Sequence, residues 1–159
     1  MDVIRGKIRK KMSPFRQIYY QIVFSTKHRK PVLSVEHEDQ LYKYIWGIVK
    51  NKNCKLYRIN GMPDHIHLFT DLHPSVSLSS FVKEIKVSSN LWIRQCGLFP
   101  DFEEWQSGYG AFTYSEREKD MIVNYIKNQK EHHKTESFED EYKNLLKSQG
   151  IEFDEKYLW

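Results

Sequence analysis

Cysteine is nearly absent: only Cys54 and Cys96 occur among 159 residues. Both sit in apolar segments, and they form no disulfide framework or zinc knuckle, so a reducing cytoplasm is the expected setting. Long hydrophobic runs are missing as well. No stretch approaches the roughly 18 apolar residues that span a bilayer. Behind Arg5, Lys7, Arg9, Lys10 and Lys11 there is no apolar segment, which excludes a secretory signal. Residues 1–12 instead read as a flexible basic arm that could follow a phosphate backbone. With no internal repeat and no low-complexity linker, residues 13–150 form one domain, and 151–159 a tail.

What is present is globular in character. Hydrophobic residues make up 40% and aromatic residues 14%, with ten tyrosines and four tryptophans. Charged residues at 29% give a polar surface, and a net charge of +4 with a pI near 8.9 leans towards a polyanionic partner. That balance is also common in proteins that touch no nucleic acid, so it decides little by itself.

The periodicities set the element order. Ile18, Tyr20, Ile22 and Phe24 alternate with Tyr19, Gln21, Val23 and Ser25, a strand over 17–25. Ser34 is a candidate cap for a helix to Lys52, whose apolar stripe is Leu41, Ile45, Ile48 and Val49. Cys54 to Asn60 reads as a second strand, joined by Gly61-Met62-Pro63 to a third, so the two should be antiparallel. Ser77 opens a helix ending near Gly97. Trp105 to Tyr114 reads as another strand, with Gly108 and Gly110 permitting a bulge. Ser115 to Glu118 forms a capping box for a helix through Lys130. Thr135 to Ser137 can cap a last helix with the stripe Phe138, Tyr142, Leu145 and Leu146, and Gly150 suits its end. The apolar Tyr157-Leu158-Trp159 should dock. This order predicts one α+β domain with an antiparallel, ferredoxin-like or RRM-like sheet and helices.

Two places could carry chemistry. In Gly61-Met62-Pro63-Asp64-His65-Ile66-His67-Leu68-Phe69, a period of two puts His65 and His67 on one face and Ile66 and Leu68 on the other. Two imidazoles side by side can share a metal ion, but two are too few to define a site. Some sixty residues on, Tyr125 and Gln129 stand four apart on one helix face. A phenol is a potential nucleophile, and a carboxamide oxygen could complete a His-His-Gln set. A helical tyrosine alone is ordinarily a packing residue. Asp64 could shape its turn or hold a histidine tautomer. His132 and His133 could join the site, although exposed positions complementing a helix dipole are expected. Lys27, Arg29, Lys30, Lys83 and Lys86 are candidates for DNA phosphates, with exposed aromatics for unpaired bases.

His65-Ile66-His67 resembles the His-hydrophobe-His signature of the HUH endonuclease superfamily. Together with Trp105-Gln106-Ser107-Gly108-Tyr109-Gly110-Ala111-Phe112 and Tyr125-Ile126-Lys127-Asn128-Gln129, the chain is similar to the single-tyrosine, IS200-like transposases of small bacterial insertion sequences. The similarity runs from about Phe15 to Gly150. It implies the HUH fold and the cutting and rejoining of single-stranded DNA at hairpin-bearing element ends by homodimers with composite active sites. It further implies that Tyr125 is the nucleophile and that His65, His67 and Gln129 bind a divalent ion, usually Mg2+ or Mn2+. Histidine is an uncommon magnesium ligand and would suit manganese or zinc better. A domesticated relative acting on genomic repeat hairpins, and a non-catalytic RRM-like nucleic-acid-binding module, are the alternatives.

Overall fold

The computed structural model describes residues 15–159; the basic arm expected at 1–12 lies outside the described residues. Four strands form one antiparallel sheet: β1 (Tyr19–Ser25), β2 (Leu56–Met62), β3 (His65–Thr70) and β4 (Gly110–Tyr114). Their order across the sheet is β2-β3-β1-β4. This is the ferredoxin-like order that the element sequence predicts. β3 pairs with β1 on one side and β2 on the other, with His67 opposite Val23 and Asn60. The histidine strand is therefore central and cannot slip without turning every side chain over.

The two faces of the sheet do different work. Ile22, Phe24, Ile66 and Leu68 point to one face and pack on α1 (Glu38–Asn51) and α2 (Leu78–Cys96) through Leu41, Ile45, Val49, Phe81, Val82 and Ile85. Each such side chain, fully buried, contributes about 1.5–3 kcal/mol of transfer free energy, which anchors β3. The opposite face carries His65, His67 and Phe69. It is covered by α3 (Lys119–Lys127), the short α4 (Gln129–His132) and α5 (Phe138–Ser148).

Local signals explain most element ends. The Ser77 side chain accepts from Ser80 N–H to start α2, and Gly97, at φ 70°, closes it. The Ser115–Glu118 capping box is present, followed by one 3-10 turn before α3. Ser137 caps α5, and Gly150 takes φ 67° after it. Leu158 and Trp159 pack with Phe138 and Leu146, so the tail docks.

Three expectations need correcting. The helix predicted from Ser34 begins at Glu38, because 34–37 close as a turn with His37 N–H on the Ser34 carbonyl. The strand predicted from Trp105 is regular only from Gly110. Trp105 makes an isolated bridge to Thr26 and turns inward, edge-on to Phe24 at 4.9 Å, with its N–H on Ser89 Oγ at 2.9 Å. The helix expected through Lys130 breaks at Asn128, where Asn60 Nδ2 donates to the Lys127 carbonyl at 3.0 Å.

Candidate active site

The site grows from β3. His65 and His67 are fully buried, and a backbone constraint sets them there: a Cβ at Gly61 would lie 2.1 Å from the His65 carbonyl oxygen. Only glycine lets β2 approach this closely. Asp64 Oδ1 lies 2.6 Å from His65 Nδ1, and Gln21 Nε2 lies 3.0 Å from His67 Nδ1. Gln21 is itself fixed by the Tyr114 hydroxyl, which donates to its Oε1 at 2.8 Å. Both histidines thus have Nδ1 occupied by a neighbour and turn Nε2 to the same small space. Asp64 holds the His65 ring, which answers the alternatives left open for it.

Helices supply the remaining walls. The break at Asn128 still leaves Tyr125 and Gln129 facing β3: the Tyr125 ring centroid is 6.0 Å from that of His67, and Gln129 Oε1 is 3.2 Å from His65 Nε2. All four residues singled out in the sequence converge within one chain. Helix α5 adds one that was not, Glu141, which is 1% exposed. Its Oε1 stands 3.0 Å from His67 Nε2, 3.3 Å from His65 Nε2 and 3.1 Å from His133 Nε2. Its Oε2 accepts from the Tyr125 hydroxyl and, at 2.9 Å, from Gln129 Nε2. The signal was present in the sequence: Glu141 lies within the apolar stripe of α5, three residues after Phe138, where a charge has no place in simple packing.

His133 is the other correction. It is not an exposed helix-end residue but is drawn inward, its Nδ1–H donating to the Glu136 carbonyl at 2.7 Å and its Nε2 3.0 Å from Gln129 Oε1. His132 is partly exposed and pairs with Glu136 at 2.6 Å. Phe138 stacks on the His65 ring with centroids 4.0 Å apart, closing the site on the side of the tail.

The electrostatics follow from this crowding. Burial pulls the His65 pKa down, but the hydrogen bonds to Asp64 and Glu141 outweigh it and raise it overall. His67 lacks a carboxylate at its far nitrogen, and burial lowers its pKa. Burial opposes ionisation of Glu141, yet hydrogen bonds with His133, His65 and His67 hold its carboxyl well below the ordinary range. Burial, and then the adjacent Glu141 charge, push the Tyr125 phenol above its usual value. The ligand atoms of His65, His67 and Glu141 all lie within 4.8 Å of one another, so the donor chemistry fits a divalent cation. A cleft of about 360 Å³, lined by Gln21, Tyr114, Met121, Leu145 and Gln149, reaches the Tyr125 ring from solvent.

The candidate phosphate ligands are split by the sheet: Arg29 meets α5 beside this centre, whereas Lys83 and Lys86 stand on α2, which packs against the face opposite the histidines. Lys27 pairs with Glu104, Lys30 with Glu103 and Arg29 with Glu139, each at 2.8 Å, and Arg29 also lies over the Trp159 ring at 4.1 Å. Lys83 is exposed on α2. Lys86 donates to the Gln106 carbonyl at 2.8 Å and to that of Gly108, fastening the loop before β4; burial pulls its pKa down to about 8.

Comparison with known proteins places this geometry. The family described as "Transposase IS200 like" matches residues 14–129, most of the chain. The chain belongs to this family. Among its relatives, the ISDra2 transposase TnpA of Deinococcus radiodurans is 28% identical over 120 residues, covering 71% of this chain and 84% of the relative. The transposase for insertion sequence element IS200 of Salmonella typhimurium is 29% identical over 120 residues, covering 72% and 78%. A crystal structure of a candidate transposase from Deinococcus radiodurans superposes with a TM-score of 0.58 at 27% identity, over 74% of this chain and 95% of the other. A REP-associated tyrosine transposase bound to a REP hairpin shares the fold, with a TM-score of 0.55 at 20% identity, over 77% and 74%. The IS200-like transposase match takes in β3, Tyr125 and Gln129 and stops there; Glu141 and α5 lie beyond it. Among the described residues, no helix is long and apolar enough to cross a membrane.

Proposed function

We propose that this IS200-like transposase is a metal-dependent endonuclease and strand transferase, cutting and rejoining single-stranded DNA at hairpin-bearing element ends. Tyr125 is its nucleophile, and His65, His67 and Gln129 hold a divalent ion, Mg2+ or Mn2+. The observation that carries this reading is the convergence of Tyr125 with His65, His67 and Gln129 in one buried site. That the REP-associated relative was seen with a hairpin supports the same class of substrate.

The residues divide the work. Tyr125 presents its hydroxyl beside the imidazoles, and its hydrogen bond to Glu141 fixes the oxygen. A DNA strand entering by the cleft between α3 and α5 passes Tyr114 and Met121 and meets the phenol first. The Tyr125 oxygen attacks phosphorus, a P–O bond to tyrosine forms, and the bond to the 3′-oxygen breaks. The products are a 5′-phosphotyrosine and a free 3′-hydroxyl. Because the ester retains the free energy of the phosphodiester, another 3′-hydroxyl can reverse the step onto a new strand without ATP. Burial leaves the phenol neutral near pH 7; a divalent ion held by His65, His67 and Gln129 would supply positive charge that favours the phenolate and polarises the phosphate. Asp64 and Gln21 keep both Nε2 atoms turned inward throughout.

Lys27, Arg29, Lys30, Lys83 and Lys86 are the proposed phosphate contacts; the first three lie in ion pairs that a phosphate can replace. Two element ends call for two copies, hence a homodimer. Exchange of α3 between protomers would give composite sites from the same residues that meet here within one chain. A reducing cytoplasm suits the two free thiols and the substrate. A single-stranded hairpin oligonucleotide with a divalent ion tests the proposal. Tyr125→Phe is expected to abolish the covalent adduct and His65→Ala to abolish cleavage; an adduct that persists in Tyr125→Phe contradicts it.

A further inference from the structure

Glu141 calls for its own explanation. A carboxylate taken out of water costs several kcal/mol unless opposite charge and hydrogen bonds compensate. Here it is buried in the centre of the site, on a helix outside the span that matches the family. Removing it would not expose α5, whose seating rests on Phe138 and Leu146. Packing alone therefore does not account for it.

Hydrogen-bond accounting narrows the possibilities. A neutral imidazole has one N–H to give. His65 faces oxygen at both nitrogens: Asp64 at Nδ1, and Gln129 Oε1 and Glu141 Oε1 at Nε2. His133 does the same, with the Glu136 carbonyl at Nδ1 and Gln129 and Glu141 at Nε2. Nitrogen and oxygen lone pairs thus converge on one point and require a positive charge between them, either added protons or a metal ion. The spacing accommodates the ion. Neighbouring ligands around a cation bound at about 2.1 Å lie about 3.0 Å apart. Glu141 Oε1 stands 3.0 and 3.3 Å from the two β3 nitrogens, and Gln129 Oε1 stands 3.2 Å from His65 Nε2.

We infer that Glu141 is a fourth, anionic ligand to the divalent ion, brought to the His65–His67–Gln129 set by the C-terminal helix. This rests on the metal site proposed above. The set without it is neutral; with it, one negative charge faces the cation. The other carboxylate oxygen holds both the Tyr125 hydroxyl and the Gln129 amide, so ligation by Oε1 also fixes the nucleophile and the neighbouring ligand.

The test is Mn2+ binding to the full chain, free of DNA, by calorimetry and by the loss of the free-ion electron spin resonance signal. Glu141→Gln keeps the shape and removes the charge; thermal unfolding in EDTA shows whether it is folded. We expect Glu141→Gln to remain folded in EDTA, to bind Mn2+ at least tenfold more weakly, and to lose most of the Mn2+-induced rise in unfolding temperature. His65→Ala is expected to abolish binding. If His65→Ala abolishes binding while Glu141→Gln binds as tightly as the parent or more tightly, Glu141 is not a ligand and only this inference falls. If the parent binds no Mn2+, or His65→Ala leaves binding unchanged, the metal site itself falls, and this inference with it.

Discussion

At the scale of single residues, the site is a compromise between burial and charge, and the compromise is measurable. The Glu141 carboxyl is held below its ordinary value of 4.5 by three imidazoles acting against burial. A depressed folded-state pKa stabilises the protein above the unfolded value and is lost as pH falls through the folded one. In EDTA, the urea midpoint of the parent should therefore fall more steeply below about pH 4.5 than that of Glu141→Gln; parallel curves would show that the carboxylate is not held by the histidines. Gly61 is a second sensitive position. With a Cβ 2.1 Å from the His65 carbonyl, Gly61→Ala should cost about 1–3 kcal/mol through overpacking. It should weaken Mn2+ binding as β2 is pushed away from His65.

Among the elements, α5 turns a ferredoxin-like sheet into a closed site. Ser137 and Ser77 are equivalent caps, each accepting from the backbone N–H three residues on. Ser137→Ala and Ser77→Ala should each cost about 1 kcal/mol of stability. Only the first should weaken Mn2+ binding, because only α5 carries Glu141; equal effects on binding would mean that general stability, not the seating of α5, sets affinity. The elements also show what the sequence could reveal. The period of two in His65-Ile66-His67-Leu68 assigned the faces of β3 correctly because one face had to be apolar. Ser77, Ser115 and Ser137 marked helix starts because caps act within four residues. Tyr125 and Gln129 were legible as a pair because their spacing is local. His133 was not, and Glu141 showed only as a charge out of place in the apolar stripe of α5. Glu141 meets His67 across 74 positions in the chain, and no local rule encodes that meeting. The break at Asn128 was hidden for the same reason, since Asn60, from another strand, takes the carbonyl there.

For the whole molecule, family membership and the convergent site lead to one account: a sheet presents two imidazoles, α3 presents a phenol, α4 a carboxamide, and the last helix closes over them. The candidate basic residues should make hairpin binding salt-dependent, with affinity falling as counterions compete for the phosphates. Removing the divalent ion with EDTA should stop cleavage while leaving most of that binding, as measured by gel shift. If chelation abolishes binding as well, the ion belongs to recognition rather than chemistry.

The most direct measurement is to map the covalent product. The parent protein is incubated with Mn2+ and a single-stranded hairpin oligonucleotide, digested with protease and nuclease, and its peptides are weighed. The account predicts a nucleotide phosphate on the peptide carrying Tyr125 and on none of the other nine tyrosines. Strand cleavage with no phosphotyrosine, or with the phosphate on another tyrosine, would contradict it.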